Sequence, residues 1–284
     1  MSALRPRRSA LYMPAANARA IEKARELDCD VVILDLEDAV APDAKDTARR
    51  QAADAVAAGG FGRREVVIRI NGLGTAWGRE DLAAAVQARP DAILVPKVSS
   101  ADDVRAFREL AGAGIPMWAM IETCLSVLRL EAIAAVAEEA TMTTWVIGSN
   151  DLAKEMRCRL DGERRALLPA LSLSVAAARA FGLAILDGVY NDLDDDAGLE
   201  RQCGQGVEFG FDGKTLIHPR QIPIANRAFA PTAEEVAWSR TVVQAFDAPE
   251  NADKGVLRVE GRMVERLHLD QARRLLAVAE AIGA

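Results

Sequence analysis

The chain is poor in the residues that build zinc sites and disulfide scaffolds. Its 284 residues include only two histidines, His218 and His268, and four cysteines without a CxxC pair. Zinc sites use closely spaced cysteine and histidine ligands, so we do not expect a zinc centre. The cysteines are expected to be free thiols in a reducing compartment.

Positive charge and long apolar runs are also scarce. The chain has 35 basic and 42 acidic residues and a net charge of −7, which argues against non-specific binding to nucleic acids or anionic membranes. No apolar run reaches the roughly 18 residues of a membrane span. Because "SALYMP" already predicts a first strand, little room is left for a removable targeting segment. The expected location is the cytoplasm.

What the chain does have is a regular alternation of short apolar strands and amphipathic helices. Strands are predicted at 10–14, 31–37, 65–71, 92–97, 117–123, 144–149, 184–189 and 214–218. This pattern predicts an α/β protein with a parallel (β/α)₈ barrel, and a doubly wound open sheet is the alternative. Polar residues end nearly every strand. That favours the barrel, whose strands all end at one catalytic face.

The last part of the chain differs from the barrel pattern. Residues 232–284 carry two helical patterns on either side of "DKGVLRVEGRMVE", which predicts a short strand or turn. We therefore predict a barrel domain at 1–231 and a C-terminal helical extension at 232–284.

The stretch "VVILDLEDAV" crowds three carboxylates, Asp35, Glu37 and Asp38, onto the end of an apolar strand. Two like charges about 4 Å apart repel by about 1 kcal/mol in water and about 4 kcal/mol at a protein-like dielectric. Strand alternation places Asp35 and Glu37 on one face. Arg69 ends the next strand, about 4.8 Å away, and is predicted to offset the repulsion.

Glu122 and Asp151 are predicted to end two successive strands, so their carboxylates can reach one ion. Two carboxylates with open positions suit Mg²⁺, which keeps waters and takes other ligands from the substrate; Mn²⁺ is a possible substitute. The alternative for Glu122 alone is a salt-bridged strand end. Asp35 and Glu37 are predicted to orient Arg69 and the metal-bound waters.

Other signals leave two interpretations open. The glycines of "NGLGTAWG" lack the strand–GxGxxG–helix context and predict an ordinary loop. His218 fits either a cap on the last strand or a ligand contact. Arg19 and Lys23, one turn apart on the first helix, fit either a solvated face or an anion site.

Several ordered motifs resemble the family of the citrate lyase beta subunit, which includes malyl-CoA and citramalyl-CoA lyases within the HpcH/HpaI-type aldolases. They are "RSALYMP", "VVILDLEDAVAPDAK", "VVIRINGLGTAWGREDL", "ILVPKV", "MIET", "GSNDLAKE", "DGVYNDLDDDAGL" and "GFDGKTLIHPRQI". The resemblance runs from about residue 8 to about residue 280. It is specific for the family and much less so for the substrate.

The resemblance implies a barrel that forms homotrimers or hexamers, binds Mg²⁺, and reversibly cleaves a carboxylated 3-hydroxyacyl-CoA to an acyl-CoA and a 2-oxo acid. Matched by motif, Glu122 and Asp151 correspond to metal ligands, and Arg69 to an arginine that binds the substrate carboxylate and stabilises an enolate. The resemblance also implies a coenzyme A site: Arg19 and Lys23 at its phosphates, and Lys214 and His218 of "GKTLIHP" near its pantetheine arm.

One position departs from the family pattern. The family usually carries "MID.PH" near its C-terminus, with an aspartate that reaches a neighbouring subunit's site as an acid/base. Here "MVERLH" places Glu265 in that position and Leu267 in place of proline. We expect Glu265 to protonate the enolate carbon across a subunit interface. Its longer side chain is expected to support little thioester hydrolysis.

Two further hypotheses remain open at this point. One is an aldolase for free 2-oxo acids, which would need neither Arg19 and Lys23 nor the 232–284 extension. The other is a subunit that works on a carrier-protein thioester in a larger complex, as in multi-subunit citrate lyase. The sequence does not fix the acyl group, because specificity lies in pocket side chains.

Overall fold

The computed structural model describes residues 5–283, and within them the chain divides into two compact units. One unit spans Arg7–Ala228, and the other is formed by residues 229–283 together with residues 5 and 6. The division falls close to the predicted boundary at 231/232. Residues 1–4 and 284, which the predicted domains include, lie outside the described residues.

Within residues 7–228, eight parallel strands close into a barrel. The strands are β1 (Ser9–Pro14), β2 (Val31–Asp35), β3 (Glu65–Arg69), β4 (Ala92–Val95), β5 (Met117–Ile121), β6 (Met142–Ile147), β7 (Ala184–Asp187) and β8 (Gly213–Leu216). The last strand pairs with the first, with Thr215 opposite Ala10. This closure confirms the predicted barrel and excludes the open sheet.

Apolar side chains fill the barrel interior because alternate residues of each strand point inward. The core residues are Ala10, Val31, Ile33, Val67, Ala92, Leu94, Trp118, Met120, Val146 and Leu186, and Tyr12 packs against them. Two residues further along β2, β3 and β5, the same face carries the polar side chains of Asp35, Arg69 and Glu122. Apolar side chains therefore fill the centre of the barrel, and polar side chains lie at its carboxyl-terminal mouth.

Helices follow the strands, as the alternation predicts. They are α1 (Ala18–Ala24), α2 (Lys45–Ala58), α3 (Gly78–Ala88), α4 (Ala101–Ala111), α5 (Cys124–Leu128), α6 (Leu130–Ala135), α7 (Ala137–Ala140), α8 (Ser149–Met156), α9 (Leu168–Ala180), α10 (Asp196–Phe209) and α11 (Ile222–Ala228). Asn17 is the N-cap residue of α1, and its side chain accepts a hydrogen bond from the backbone N–H of Ala20. The segment "NGLGTAWG" connects β3 to the start of α3 and is a loop, as predicted.

The second unit is a helical pair with a hairpin between the helices. It contains α12 (Ala233–Asp247), β9 (Val256–Val259), β10 (Arg262–Glu265) and α13 (Arg266–Ile282). The two strands are antiparallel, and their turn uses left-handed backbone at Glu260 and Gly261. The helices and hairpin share a small apolar core that includes Phe246, Val264 and Leu269. Across residues 5–283, none of the helices combines the length and apolar character needed to span a membrane.

Candidate active site

A cavity of about 290 Å³ opens at the carboxyl-terminal ends of the barrel strands. Its lining includes Tyr12, Asp35, Asp38, Arg69, Met120, Glu122, Ser149, Asn150, Asp151, Asn191 and Thr215. In (β/α)₈ enzymes this face carries the catalytic groups. The volume is at the lower end of the roughly 300–1,000 Å³ typical of small-molecule pockets. It suits a small acid better than a whole coenzyme A thioester.

Arg69 ends β3 directly opposite Asp35, the last residue of β2. Nε and Nη2 of Arg69 donate to the two carboxylate oxygens of Asp35 at 2.7 and 2.6 Å. Nη1 lies 3.0 Å from an oxygen of Glu37 and 3.6 Å from one of Asp38. The crowded carboxylates at the end of β2 therefore surround one guanidinium. Its positive charge offsets their repulsion, as predicted from the sequence.

The chain after β2 is held in place by the same carboxylate. The oxygens of Asp35 also accept the backbone N–H groups of Glu37 and Ala39, at 2.9 and 3.1 Å. The buried ammonium of Lys45 donates to the carbonyl oxygens of Leu36 and Glu37, both at 2.7 Å. Both interactions fix the turn that carries Glu37 and Asp38, so the acidic groups are presented rigidly to the pocket.

Arg69 is held in its charged form. Burial alone would lower its pKa, but Tyr12, Asp35 and Glu37 together raise that pKa well above its usual value. The ring of Tyr12 lies against the guanidinium, with its centroid 4.6 Å from Cζ. Burial raises the pKa of Glu37 despite the opposing charge of Arg69. The result is a fixed positive charge at the wall of the cavity.

Glu122 follows β5 and is 1 % exposed. One of its oxygens accepts the backbone N–H of Lys97 at 2.7 Å. Lys97 has a left-handed backbone (φ 56°), a conformation that costs a non-glycine residue roughly 1–2 kcal/mol. Its ammonium donates to Glu37 at 2.8 Å. Lys97 therefore links two carboxylates of the site, once through its backbone and once through its side chain.

The second oxygen of Glu122 faces Gly148, which follows β6. A Cβ atom on Gly148 would clash with that oxygen, so only glycine allows this close approach. Asp151 was predicted to end a strand, but it lies in the first turn of α8. The strand stops at Ile147, and the helix begins at once. A carboxylate in a first helical turn is stabilised by the helix dipole, and Asp151 still lines the same cavity as Glu122.

Acidic groups outnumber basic groups around this cavity among the described residues. The acids are Asp35, Glu37, Asp38, Glu122 and Asp151, and the bases are Arg69, Lys45 and Lys97. Burial, and next the charge of Glu37, raise the pKa of Glu122 to about 7. A buried carboxylate that resists ionisation beside other carboxylates is a place where a cation would be stabilised.

The donor set fits Mg²⁺ better than a metal with many protein ligands. Within residues 5–283, no group of three or more histidine, cysteine, aspartate or glutamate side chains is arranged to hold a metal ion. Glu122 and Asp151 together supply two carboxylates. Mg²⁺ is commonly bound through one or two carboxylates, with waters and substrate oxygens completing its shell. The residues present therefore fit the predicted ion.

The residues predicted to bind coenzyme A occupy three different environments. Arg19 and Lys23 are exposed on α1, and neither forms an ion pair with a described residue. His218 is exposed just after β8, and its Nδ1 accepts the backbone N–H of Arg220 at 3.2 Å. It therefore caps the 3₁₀ turn Pro219–Gln221 and leaves its other ring nitrogen available.

Lys214 is placed differently from its predicted role. It is completely buried in β8, and its ammonium donates to Asp187 and to Gln202, both at 2.7 Å. Arg164 donates to the other oxygen of Asp187 at 2.6 Å. Lys214 was predicted to begin the last strand; it is the second residue of β8, and alternation turns its side chain into this buried network. In this arrangement the side chain of Lys214 has no exposed surface with which to contact coenzyme A.

Glu265 lies at the end of β10 and is the N-cap residue of α13. Its backbone N–H donates to Nδ1 of His268 at 2.9 Å. His268, the last residue of the "MVERLH" motif, thus fixes the start of the helix. The histidine has a local structural role here, and the placement of Glu265 against another subunit stays a prediction.

No sequence pattern pointed to a role for Tyr12, Lys45 or Lys97, although all three contact the site. Lys97 was visible as a basic residue at a strand end. Its role depends on a left-handed backbone that no local pattern predicts. Tyr12 was visible as an inward position of β1, next to the strand that carries Asp35.

The chain matches the model of one protein family, described as HpcH/HpaI aldolase/citrate lyase, over residues 8–219. It is 47 % identical over 279 residues to the (3S)-malyl-CoA thioesterase of Cereibacter sphaeroides, covering 98 % of this chain and 96 % of that protein. It is 34 % identical over 291 residues to the citrate lyase subunit beta of Escherichia coli, covering 98 % and 95 %.

A solved structure resembles the whole chain. It is the CitE protein of Mycobacterium tuberculosis in complex with magnesium, acetoacetate and coenzyme A, with a TM-score of 0.79 and 31 % identity. The match covers 100 % of both chains.

Proposed function

Because the chain belongs to the HpcH/HpaI aldolase/citrate lyase family, whose members include carbon–carbon lyases, we propose that it is a Mg²⁺-dependent lyase. Its substrate would be a carboxylated 3-hydroxyacyl-CoA of the malyl-CoA, methylmalyl-CoA or citramalyl-CoA type, cleaved reversibly to an acyl-CoA and a 2-oxo acid. The observation that carries this proposal is one cavity lined by Glu122, Asp151 and Arg69.

Glu122 and Asp151 would hold the metal. When bound, Mg²⁺ supplies Lewis-acid polarisation of a substrate oxygen. Because its pKa is raised, Glu122 binds a proton more readily in the metal-free protein. That proton would compete with the metal for the carboxylate. Lys97 orients Glu122 through its backbone N–H. The related CitE structure contains magnesium together with a small oxo acid and coenzyme A, which supports the same ligand classes here.

Arg69 would stabilise the negative charge that develops on the acyl-CoA product. Breaking the carbon–carbon bond leaves an electron pair on the acyl fragment as an enolate, and preorganised cationic donors stabilise such charge strongly in a buried site. Asp35 and Glu37 hold the guanidinium in position and keep it charged. Their role is to orient Arg69, as the sequence predicts.

The coenzyme A moiety would extend outside the cavity, which is too small for it. Arg19 and Lys23 lie on the helix that follows β1, so they stand on the side of the barrel where the strands end. Exposed cations without partners suit the phosphate groups of coenzyme A. His218 would contact the pantetheine arm through its free ring nitrogen.

A second candidate is hydrolysis of the same thioester, and the 47 % identical thioesterase favours it. That relative weighs against the expectation that Glu265 supports little hydrolysis. In the barrel unit, however, both oxygens of Asp35 are bound to Arg69, and Glu37 is shared between Arg69 and Lys97. Hydrolysis would need another carboxylate to activate water, either Asp38 or one from outside the unit.

The citrate lyase subunit supports a third candidate, action on a carrier-protein thioester within a larger complex.

We also propose that the active protein is a homotrimer or hexamer in which Glu265 of one subunit serves a neighbour's cavity as an acid/base. A titration with coenzyme A distinguishes these candidates from a CoA-independent aldolase, which would not bind coenzyme A.

The test is a product assay with malyl-CoA, methylmalyl-CoA, citramalyl-CoA and 3-hydroxy-3-methylglutaryl-CoA, with Mg²⁺ or with EDTA. We expect at least one thioester to give an acyl-CoA and a 2-oxo acid only when the metal is present. Full cleavage in EDTA would contradict the metal site. Release of free coenzyme A with an intact hydroxy acid would establish the thioesterase instead.

A further inference from the structure

Tyr12 lies in the middle of β1, opposite Ile33 of β2. Alternation turns its side chain into the barrel, above the core residue Ala10. It is half-buried and forms part of the cavity wall together with Asp35, Arg69 and Glu122. A tyrosine therefore faces the place where the substrate is proposed to bind.

The ring and the hydroxyl of Tyr12 are in different situations. The ring packs against the guanidinium of Arg69 at 4.6 Å, a contact that a phenylalanine would also make. The hydroxyl, by contrast, has only one hydrogen-bond partner among the described residues, the thioether sulfur of Met120 at 3.9 Å. A thioether is a weak acceptor, and buried tyrosine hydroxyl groups usually find a good partner.

Three other polar side chains that line the cavity have partners within the protein. The hydroxyl of Thr215 donates to the backbone carbonyl of Asp187 at 3.0 Å, and the amides of Asn150 and Asn191 bind each other. Burial, with a smaller contribution from Asp35, raises the pKa of Tyr12 above its usual value although Arg69 opposes the shift. The phenol therefore keeps its proton and remains a donor.

We propose that Tyr12 is a catalytic residue whose hydroxyl donates a hydrogen bond to the thioester carbonyl oxygen of the substrate as that oxygen becomes an enolate oxygen. Arg69 and Tyr12 would then stabilise the same developing charge from β3 and β1, the strands on either side of β2. The ligand class is an acyl-CoA thioester with a small carboxylated acyl group. This inference rests on the proposed lyase function.

The substitution Tyr12→Phe tests the hydroxyl alone, because the ring contact with Arg69 is retained. Removing one donor from a developing oxyanion commonly costs roughly 10²–10³ in rate; since Arg69 remains, we expect kcat to fall at least about tenfold. The KM for the thioester should stay within about twofold, because the bond strengthens only when charge develops. The melting temperature and its increase by Mg²⁺ should be unchanged.

The chain's second tyrosine provides a matched control. The hydroxyl of Tyr190 donates to Asp195 at 2.6 Å, so its acceptor lies within the protein, and Tyr190 does not line the cavity. Tyr190→Phe should leave kcat unchanged. If Tyr12→Phe retains full kcat, Tyr12 only packs against Arg69 and the inference is wrong, while the lyase function stands. A wild-type protein that cleaves no thioester of the panel would overturn both.

Discussion

Replacing Glu122 by glutamine should stabilise the metal-free protein while it abolishes metal binding. The pKa of Glu122 is raised from 4.5 to about 7, and each pKa unit corresponds to 1.36 kcal/mol. Ionising this buried carboxylate in the metal-free fold therefore costs about 3 kcal/mol. Glutamine has no charge to bury and keeps an oxygen for the backbone N–H of Lys97.

The sign of the pH dependence follows from the direction of the shift. A carboxyl group whose pKa is raised by folding binds its proton more tightly in the folded state, so its contribution to stability is complete below about 4.5. That contribution is lost as the pH rises to about 7. Glu122→Gln should therefore be more stable than the wild type by up to about 3 kcal/mol at pH 8. The advantage should be small at pH 5.

The assay is urea unfolding in EDTA at pH 5 and pH 8, repeated at pH 8 with excess Mg²⁺. Mg²⁺ should stabilise the wild type and leave Glu122→Gln unchanged, since ligands stabilise only the state that binds them. Glu65→Gln is the matched control, because Glu65 is also buried but receives two hydrogen bonds from Arg7. Its neutralisation should destabilise. If Glu122→Gln is the less stable protein at pH 8 in EDTA, Glu122 is a structural carboxylate and the argument for a metal site fails.

Three further predictions concern the other proposed roles. Arg69→Lys keeps the charge but loses the planar fork, so kcat/KM for thioester cleavage should fall at least about tenfold, or about 1.4 kcal/mol; unchanged kcat/KM would make Arg69 structural. The double change Arg19→Glu and Lys23→Glu should raise the KM for acyl-CoA with little effect on the binding of a free 2-oxo acid, and an unchanged KM would remove the proposed phosphate site. Glu265→Ala and Glu122→Gln should each be nearly inactive but recover part of the activity when their subunits are mixed. Recovery of nothing, despite demonstrated subunit exchange, would exclude action of Glu265 across an interface.

The fold and the inner part of the site follow from local patterns. The alternation of apolar strands and amphipathic helices predicted the barrel, and period-two alternation placed Asp35 and Arg69 together. Both inferences depend only on strand geometry. The ion pair between these residues at 2.6 Å is what two opposite charges at the ends of paired strands should form.

The remaining features depend on backbone conformations and long-range packing. The sequence pattern placed Asp151 at a strand end. In the structure only Gly148 separates β6 from α8, and a single residue is too short to be recognised as a loop in the sequence. Lys214 was expected at the coenzyme A site, but it is captured by Asp187, a residue of the neighbouring strand. The role of Lys97 requires a left-handed backbone. None of these is encoded in a short stretch of sequence.

The ratio of 2-oxo acid to free thiol formed from malyl-CoA tests the central claim most directly. Carbon–carbon cleavage conserves the thioester and releases one 2-oxo acid per turnover, whereas hydrolysis releases one thiol and no 2-oxo acid. The cavity of Glu122, Asp151 and Arg69 predicts that 2-oxo acid appears in the initial phase with Mg²⁺ present, with free thiol at no more than a minor fraction. Free thiol that matches substrate loss, with no 2-oxo acid, would contradict the lyase account.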